Sequence, residues 1–542
     1  MSSQTETKAP FEEKSQNFDV VIVGAGFAGM YMLHKCRELG LSTRVFEVGE
    51  GVGGTWYWNR YPGARCDVES VQYSYQFDSE LEQEWTWSEK YSTQPEILKY
   101  ANHVADRFDL FSDIQFKTRV LSAEYSKKDK VWVVKTDRSE KITTRFCIFA
   151  TGCLSSSNTP KFEGTDTFNG LSYHTGRWPH GGVDFLGLRV GVIGTGSSAI
   201  QSIPEIAKQA NQLTVFQRTA NYTIPARNSE LSEEYVASIK ADYPGLRKRA
   251  RNKPAGYDIP LNPQSVLEVD IKDANNEFQR RWELGGTQFL GAYGDLLFNA
   301  ESNKVAAEFV KNKIREIVSN PETAELLCPT NIIGCKRLCV DTDYYATYNR
   351  SNVQLIDVSS KPIDRITPQG ILHDGTDYEF DAIVFATGFD AMTGALANIK
   401  IIGKDRSLLT EKWRDGPQTY LGLASNGFPN MFMITGPGSP SVLTNMLPSI
   451  EQHVNFIAGC ISHVVDNGLS AVEPDRKAEE DWGLHVNEVA DLSLRSTCAS
   501  WYVGANVPGK PRVFSPYIGG FPKYVERCEQ VAGNNYEGFT LV

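Results

Sequence analysis

Two short glycine runs carry the first chemical signal. GAGFAG supplies Gly24, Gly26 and Gly29; GTGSSA supplies Gly194, Gly196 and Ala199. Each follows an apolar, β-branched run, FDVVIV (18–23) or RVGVI (189–193), and each opens a helix-patterned stretch. Strand, glycines, helix is the order a pyrophosphate requires. The first glycine permits a tight turn and the second lets the phosphate reach the backbone. A small third residue lets helix and strand pack closely. The helix N-terminus then offers free N–H groups and a partial positive charge.

The residue types beyond each helix separate the two units. TRVFEV brings Glu47 to a strand end 18 positions after Gly29, where a carboxylate accepts hydrogen bonds from ribose hydroxyls. By itself this unit fits FAD or NAD equally. LTVFQRT brings Arg218 and Thr219 to the matching place, with Ser197 in the cradle itself. A guanidinium pairs with a 2′-phosphate that a carboxylate would repel, so this unit predicts NADPH over NADH. Two units in one chain imply a flavin fixed in one and a nicotinamide delivered by the other.

These units need an α/β chain with two dinucleotide-binding, Rossmann-like domains. The 542 residues suffice for that and more, at roughly 100–200 residues per domain. Composition is ordinary for a soluble globular protein, with 41% hydrophobic residues. The net charge of −11 argues against nucleic acid or an anionic membrane as partner. Residues 1–17 are polar and lack the apolar core of a signal peptide, so a disordered tail is expected. No uncharged apolar run of about 18 residues exists, which predicts no membrane span. Ten cysteines are dispersed without a CxxC pair. That pattern predicts reduced thiols in a cytoplasmic protein and no metal site. No cysteine pair follows the first cradle, which disfavours a disulfide reductase.

Two further segments name a family. Between the cradles, FNGLSYHTGRWP holds Phe168, Gly170, His174, Trp178 and Pro179 in the pattern FxGxxxHxxxWP. Earlier, GGTWYWNRYPGARCD (53–67) holds Gly53, Gly54, Trp56, Tyr61, Pro62, Gly63 and Asp67. With both cradles, these make the chain resemble the type I Baeyer–Villiger monooxygenases from about Phe18 to its C-terminus, and most of all the members acting on phenylacetone. The resemblance implies a ketone monooxygenase that needs no separate reductase. NADPH would reduce FAD, and O2 would add to give a C4a-peroxyflavin. Its deprotonated form would attack an aryl, linear or cyclic ketone to give an ester or lactone.

The resemblance also divides the chain. CIFATG (147–152) and AIVFATGFD (382–390) are similar to the crossover segments of two-dinucleotide flavoproteins. The FAD-binding domain is then expected at 18–150 and 388–542, and the NADP-binding domain at 151–222 and 331–387. Residues 223–330 are charged and helix-patterned, for example EEYVASIKADYPGLRKRARNK, and read as a helical insertion on the substrate side. Its basic run RKRARNK reads as a solvated helix face.

Roles are implied residue by residue. Arg337, in GCKRLCVDTDYY, matches a fixed cation that holds a negative oxygen without readily giving up a proton. Asp67 matches the carboxylate that pairs with it. Lys336 matches a position at the NADP 2′-phosphate, beside Arg218. Gly54, Thr55, Trp56 and Met446 fall among the cofactor contacts. Ser441, Val442, Leu443 and Met446, in GPGSPSVLTNM, match a loop near the flavin that faces the ketone, joined by Cys153 and Leu154. Cys153 stands where the phenylacetone-type members carry Gln, which changes pocket size. Trp501, in ASWYVGANVPGKPR, matches a mobile loop over the site. His174 reads as a structural hydrogen-bonding residue that couples domain movement to the site. Two other readings stay open: an S- or N-oxygenating flavin monooxygenase, and a flavin-bearing redox sensor without ketone turnover.

Overall fold

The protein is described by a computed structural model covering residues 15–542. Its two large sheets, one mixed and one parallel, grow from the two apolar runs. In the first, strand Ser15–Val23 lies between Thr43–Phe46 and Lys141–Phe149, parallel to both. Ile114–Gln115 extends one side. An antiparallel pair, Val120–Ser126 and Val131–Thr136, extends the other. Met431–Met433 pairs with Lys141–Phe149, and Lys400–Ile402 closes the edge beside Val120–Ser126. This sheet therefore draws strands from both ends of the described chain.

The second sheet is wholly parallel, in the order Val353–Asp357, Gln212–Gln217, Arg189–Ile193, Ala382–Phe385, Leu171–His174. The inner stretches of both central strands, residues 20–23 and 190–193, are apolar throughout because both of their faces are covered. Val20 and Ile22 enter one core while Val21 and Val23 enter another across the sheet. In the second sheet, Ala382 and Val384 face one core and Ile383 and Phe385 the other.

Residues 15–17, expected in the tail, instead lengthen the first strand and pair with 141–143. The partner strand runs that far, so backbone pairing is available whatever the side chains are. The rest of the expected tail, residues 1–14, lies outside the described residues.

Residues 223–330 hold helices Glu233–Ala241, Tyr243–Arg251, Ile271–Leu284, Ala300–Ile317 and Pro321–Leu327. The first two split at Asp242 because Pro244, tolerated in a first helical turn, cannot donate to a continuing helix. Thr223–Pro225 is a strand rather than helix, parallel to Cys339–Asp341. The basic run is not simply solvated. Arg247 is half-buried against Glu82 at 2.8 Å, and Arg249 bridges Asp242 and Asp258 at 3.0 and 2.8 Å. Among the described residues no helix is long and apolar enough to cross a membrane.

Candidate active site

Both phosphate cradles have the geometry that their residue types demand. A Cβ at Gly29 would lie 1.8 Å from the Gly24 carbonyl oxygen, so helix Phe27–Glu38 reaches its strand only with glycine there. Gly194, at φ +113°, leaves no room for a side chain against the Ala386 carbonyl. Both helices start at a glycine, Gly26 and Gly196, without a side-chain cap and without an acid in the first turn. Their first N–H groups are thus left for an anion. A Cβ on Gly196 would meet nothing within 4 Å, which is open space where a phosphate would approach. Gly54 closes over the first cradle, where a Cβ on Gly26 would stand 3.3 Å from its Cα. These features fit a dinucleotide in each unit.

Glu47 is buried, and its two oxygens accept from Ala25 N at 2.8 Å and Gly49 N at 2.7 Å. Burial pushes its pKa up more than these N–H donors pull it down. Each oxygen keeps lone-pair capacity for a ribose hydroxyl. Thr55 is exposed at the start of a short helix. Trp56 is buried, with its indole N–H bonded to the Tyr73 hydroxyl at 3.0 Å.

In the second unit, Lys336 and Arg218 approach each other. Burial and the Arg218 charge together pull the Lys336 pKa down. No acid or hydrogen-bond partner meets either side chain among the described residues. Two cations held together without a counter-ion fit a 2′-phosphate. The Thr219 carbonyl accepts from the Thr195 hydroxyl at 2.8 Å, and the Ser197 hydroxyl lies 3.1 Å from Cys339 Sγ.

Asp67 and Arg337 meet between the units. The PGAR turn before Asp67 presses onto helix Ser197–Gln209, where a Cβ on Gly63 would stand 2.3 Å from the Gln201 carbonyl oxygen. Gln201 accepts from the Tyr61 hydroxyl at 2.9 Å and donates to the Arg65 carbonyl at 3.1 Å. The second cradle's own helix therefore positions Asp67. Arg337 Nε and Nη2 donate to its two carboxylate oxygens at 2.5 and 2.8 Å, and Nη1 donates to the Val442 carbonyl at 2.7 Å. Burial pushes the Asp67 pKa up, but the Arg337 charge and hydrogen bonds outweigh it and hold the carboxyl below its usual range. Burial lowers the Arg337 pKa, and Asp67 more than restores it, so the guanidinium is firmly charged.

The expected pocket residues also come together. Cys153 and Val442 share one buried apolar cluster with Ala391, Met392, Tyr502 and Phe514, and Leu154, Leu443, Met446 and Trp501 pack against it. Ser441 is fully buried in its midst, its hydroxyl 3.4 Å from the Thr435 carbonyl. Burial raises the Cys153 pKa.

The fingerprint works as a clasp. Gly170 admits the Phe168 ring, whose Cζ would be 2.5 Å from a Cβ there. Trp178 is buried beside Tyr173 and Phe185. The Pro179 carbonyl accepts from Gly182 N at 3.1 Å. His174 Nδ1 accepts from Gly176 N at 3.0 Å, which leaves Nε2–H to face the Asn158 carbonyl and the Thr387 hydroxyl, each at 3.3 Å. Burial lowers its pKa and keeps it neutral. His174 thus joins segments following both crossover strands.

One expectation is overturned. Cys335 and Cys498 form a disulfide across 163 residues, so the cysteines are not all reduced. Their partnership comes from the fold, and no CxxC-like spacing announces it. The other eight thiols are free. Among the described residues no cluster of His, Cys, Asp and Glu could hold a metal ion. Sequence reasoning also missed Tyr257, Tyr502 and Arg495, which lie within electrostatic reach of Arg337.

Two anion cradles, each on a parallel sheet and joined by paired crossovers, define a two-dinucleotide flavoprotein. The family model described as pyridine nucleotide-disulphide oxidoreductase matches residues 21–247. The chain is 40% identical over 529 residues to phenazine N-monooxygenase PhzNO1 of Lysobacter antibioticus, covering 97% of each. It is 40% identical over 524 residues to a Baeyer-Villiger monooxygenase of Pseudooceanicola batsensis, covering 96% of this chain and 95% of that one. Its fold matches the structure of oxidized steroid monooxygenase bound to NADP with a TM-score of 0.93, at 50% identity, over 97% of this chain and 100% of the other. The chain belongs to the type I Baeyer–Villiger monooxygenases.

Proposed function

We propose that this chain is an FAD- and NADPH-dependent Baeyer–Villiger monooxygenase that converts ketones to esters or lactones with O2, without a separate reductase. The observation that carries the reading is the bidentate Arg337–Asp67 pair, fixed by its third bond to Val442 beside the apolar pocket cluster. Bound FAD, reduced by NADPH, supplies the electrons that activate dioxygen. The first cradle with Glu47 holds FAD, and the second with Arg218 and Lys336 holds NADPH. Arg337 keeps an Nη1–H and an Nη2–H for the reacting oxygen. Its charge stabilises negative oxygen in the attack and in the tetrahedral adduct. It does so without delivering a proton, because a guanidinium keeps its own. Asp67 holds the fork in plane, and its lowered pKa keeps it ionised at every working pH. Cys153, Leu154, Leu443, Met446 and Trp501 form the dry wall against which the ketone sits.

In this reading the FAD domain comprises 18–150 and 388–542, and the NADP domain 151–222 and 331–387. His174, bridging the crossovers, transmits their relative movement. We place the protein in the cytoplasm on the strength of its eight unpaired thiols, against which the single Cys335–Cys498 bond is the exception. The test is a panel of phenylacetone, cyclohexanone, a thioether and a phenazine, scored for NADPH consumption and for product. Ester or lactone formation supports the reading. Oxygenation of sulfur or nitrogen alone would make the chain an S- or N-oxygenating enzyme, and consumption indifferent to every substrate would point to a redox sensor.

A further inference from the structure

A second guanidinium stands beside the first. Arg495 lies in the short helical turn Leu494–Thr497, which is tied down on several sides. Leu494 N and the Ser493 hydroxyl both bond to the Leu297 carbonyl, and Cys498 is joined to Cys335. The side chain points inward, with Nε donating to the Gly334 carbonyl at 2.9 Å. The groups that act on its charge are the Arg337 guanidinium and the neutral phenols of Tyr502 and Tyr257. No carboxylate pairs with it among the described residues. Asp67 gives both oxygens to Arg337. Nη1 and Nη2 of Arg495 have no acceptor among the described residues.

A half-buried guanidinium with one neutral acceptor and a like charge nearby is unfavourable unless a counter-ion arrives. The wall around it indicates which ligand brings one. Tyr502, next to Arg495 in the field, belongs to the pocket cluster with Cys153 and Val442 and adjoins Trp501. Lys336, by contrast, feels the charge of Arg218 and the Cys339 thiol. The cations of this region thus fall into two groups by mutual influence: Arg218 with Lys336, and Arg337 with Arg495.

We propose that Arg495 is a specificity-determining residue that binds an anionic group on the substrate, so that this enzyme prefers ketones carrying a carboxylate at a distance from the carbonyl. Arg495 offers its free Nη1 and Nη2 to the carboxylate in fork geometry, while Arg337 serves the reacting carbonyl. An apolar spacer between the two groups lies along Leu443, Met446 and Trp501. The proposal rests on the Baeyer–Villiger reading for the site but not for the binding of the anion.

The test compares phenylacetone with 4-(2-oxopropyl)benzoate, the same ketone bearing a ring carboxylate. Wild-type holoenzyme, Arg495→Gln and Arg495→Lys are assayed for KM and kcat. Binding to the oxidised holoenzyme is followed separately by the change in flavin absorbance. In wild type the carboxylate binds at least about 10-fold more tightly than phenylacetone. Arg495→Gln abolishes that preference, leaves the phenylacetone KM within about 2-fold, and changes kcat little; Arg495→Lys restores part of it. The KM for NADPH is unchanged; a rise in it would assign the anion to the cofactor and overturn the proposal. An equal preference in wild type and Arg495→Gln would overturn it as well. If Arg495→Gln does not fold, salt dependence in wild type decides: Kd rises with salt for the carboxylate and not for phenylacetone, and two flat profiles refute the proposal. Should neither ketone be oxidised, the enzymatic reading fails, while the absorbance titration still reads out Arg495.

Discussion

Asp67 and Arg337 lie 270 residues apart in the chain and meet through two hydrogen bonds, at 2.5 and 2.8 Å. One comes from the signature turn of the first sheet's territory, the other from the segment leading into strand Cys339–Asp341. The helix of the second cradle presses on that turn through Gln201, so the pair is where the two nucleotide units are mechanically joined. A change in the fit of one unit to the other therefore acts directly on the cation.

Asp67→Asn keeps the shape of the carboxylate and removes its charge. The fork of Arg337 then loses one of its two acceptors and turns more freely toward Val442. Ester formation is expected to fall by roughly 10- to 100-fold, with uncoupled hydrogen peroxide release rising in step. Product per NADPH consumed is the measurement. Unchanged coupling would show that the carboxylate does not hold the guanidinium in place.

Arg218→Ala removes one of the two unpaired cations of the second unit. The KM for NADPH is expected to rise by about 10- to 100-fold while turnover with NADH changes little. Lys336→Met should act in the same direction. Steady-state kinetics with both coenzymes checks this, and equal losses with the two would remove the 2′-phosphate from the account.

Glu451 gives a pH signature that does not depend on catalysis. Burial lifts its pKa from 4.5 to about 7, against the opposing pull of the Gln76 backbone N–H. The folded state therefore keeps a proton that the unfolded state has lost between those values. Stability contributed by this group is full below the unfolded pKa and declines as pH rises toward about 7. Glu451→Gln should raise Tm by about 2–4 °C at pH 8 and leave it unchanged at pH 4. Thermal melts across that range test the sign.

The Cys335–Cys498 bond makes a direct chemical prediction. Titration of the unfolded, unreduced protein should find eight thiols, and ten after reduction. Ten before reduction would contradict the bond. Reduction should also lower Tm, because it frees the turn that carries Arg495.

What could be read from the sequence follows from how far apart the cooperating atoms lie along it. A phosphate cradle is built from contiguous backbone, so Gly24–Gly29 and Gly194–Ala199 announce themselves with their strands and helices. Glu47 and Arg218 are legible for the same reason, each one strand beyond its helix. The Arg337–Asp67 pair is invisible to spacing and legible only through the family signatures that carry its two residues. Nothing marks Cys335 as the partner of Cys498. Arg495 stands out only once the fold shows that no acid accompanies it. The extension of the first strand to Ser15 depends on a partner strand 126 residues away.

The central claim is that a guanidinium at position 337 stabilises negative oxygen during insertion and has no part in hydride transfer. Rapid mixing of Arg337→Ala and wild type with NADPH, followed by quantification of ester from phenylacetone, separates the two steps. FAD reduction should stay within about 10-fold of wild type while ester formation falls by at least about 100-fold. Ester formed by Arg337→Ala at the wild-type rate would contradict the account.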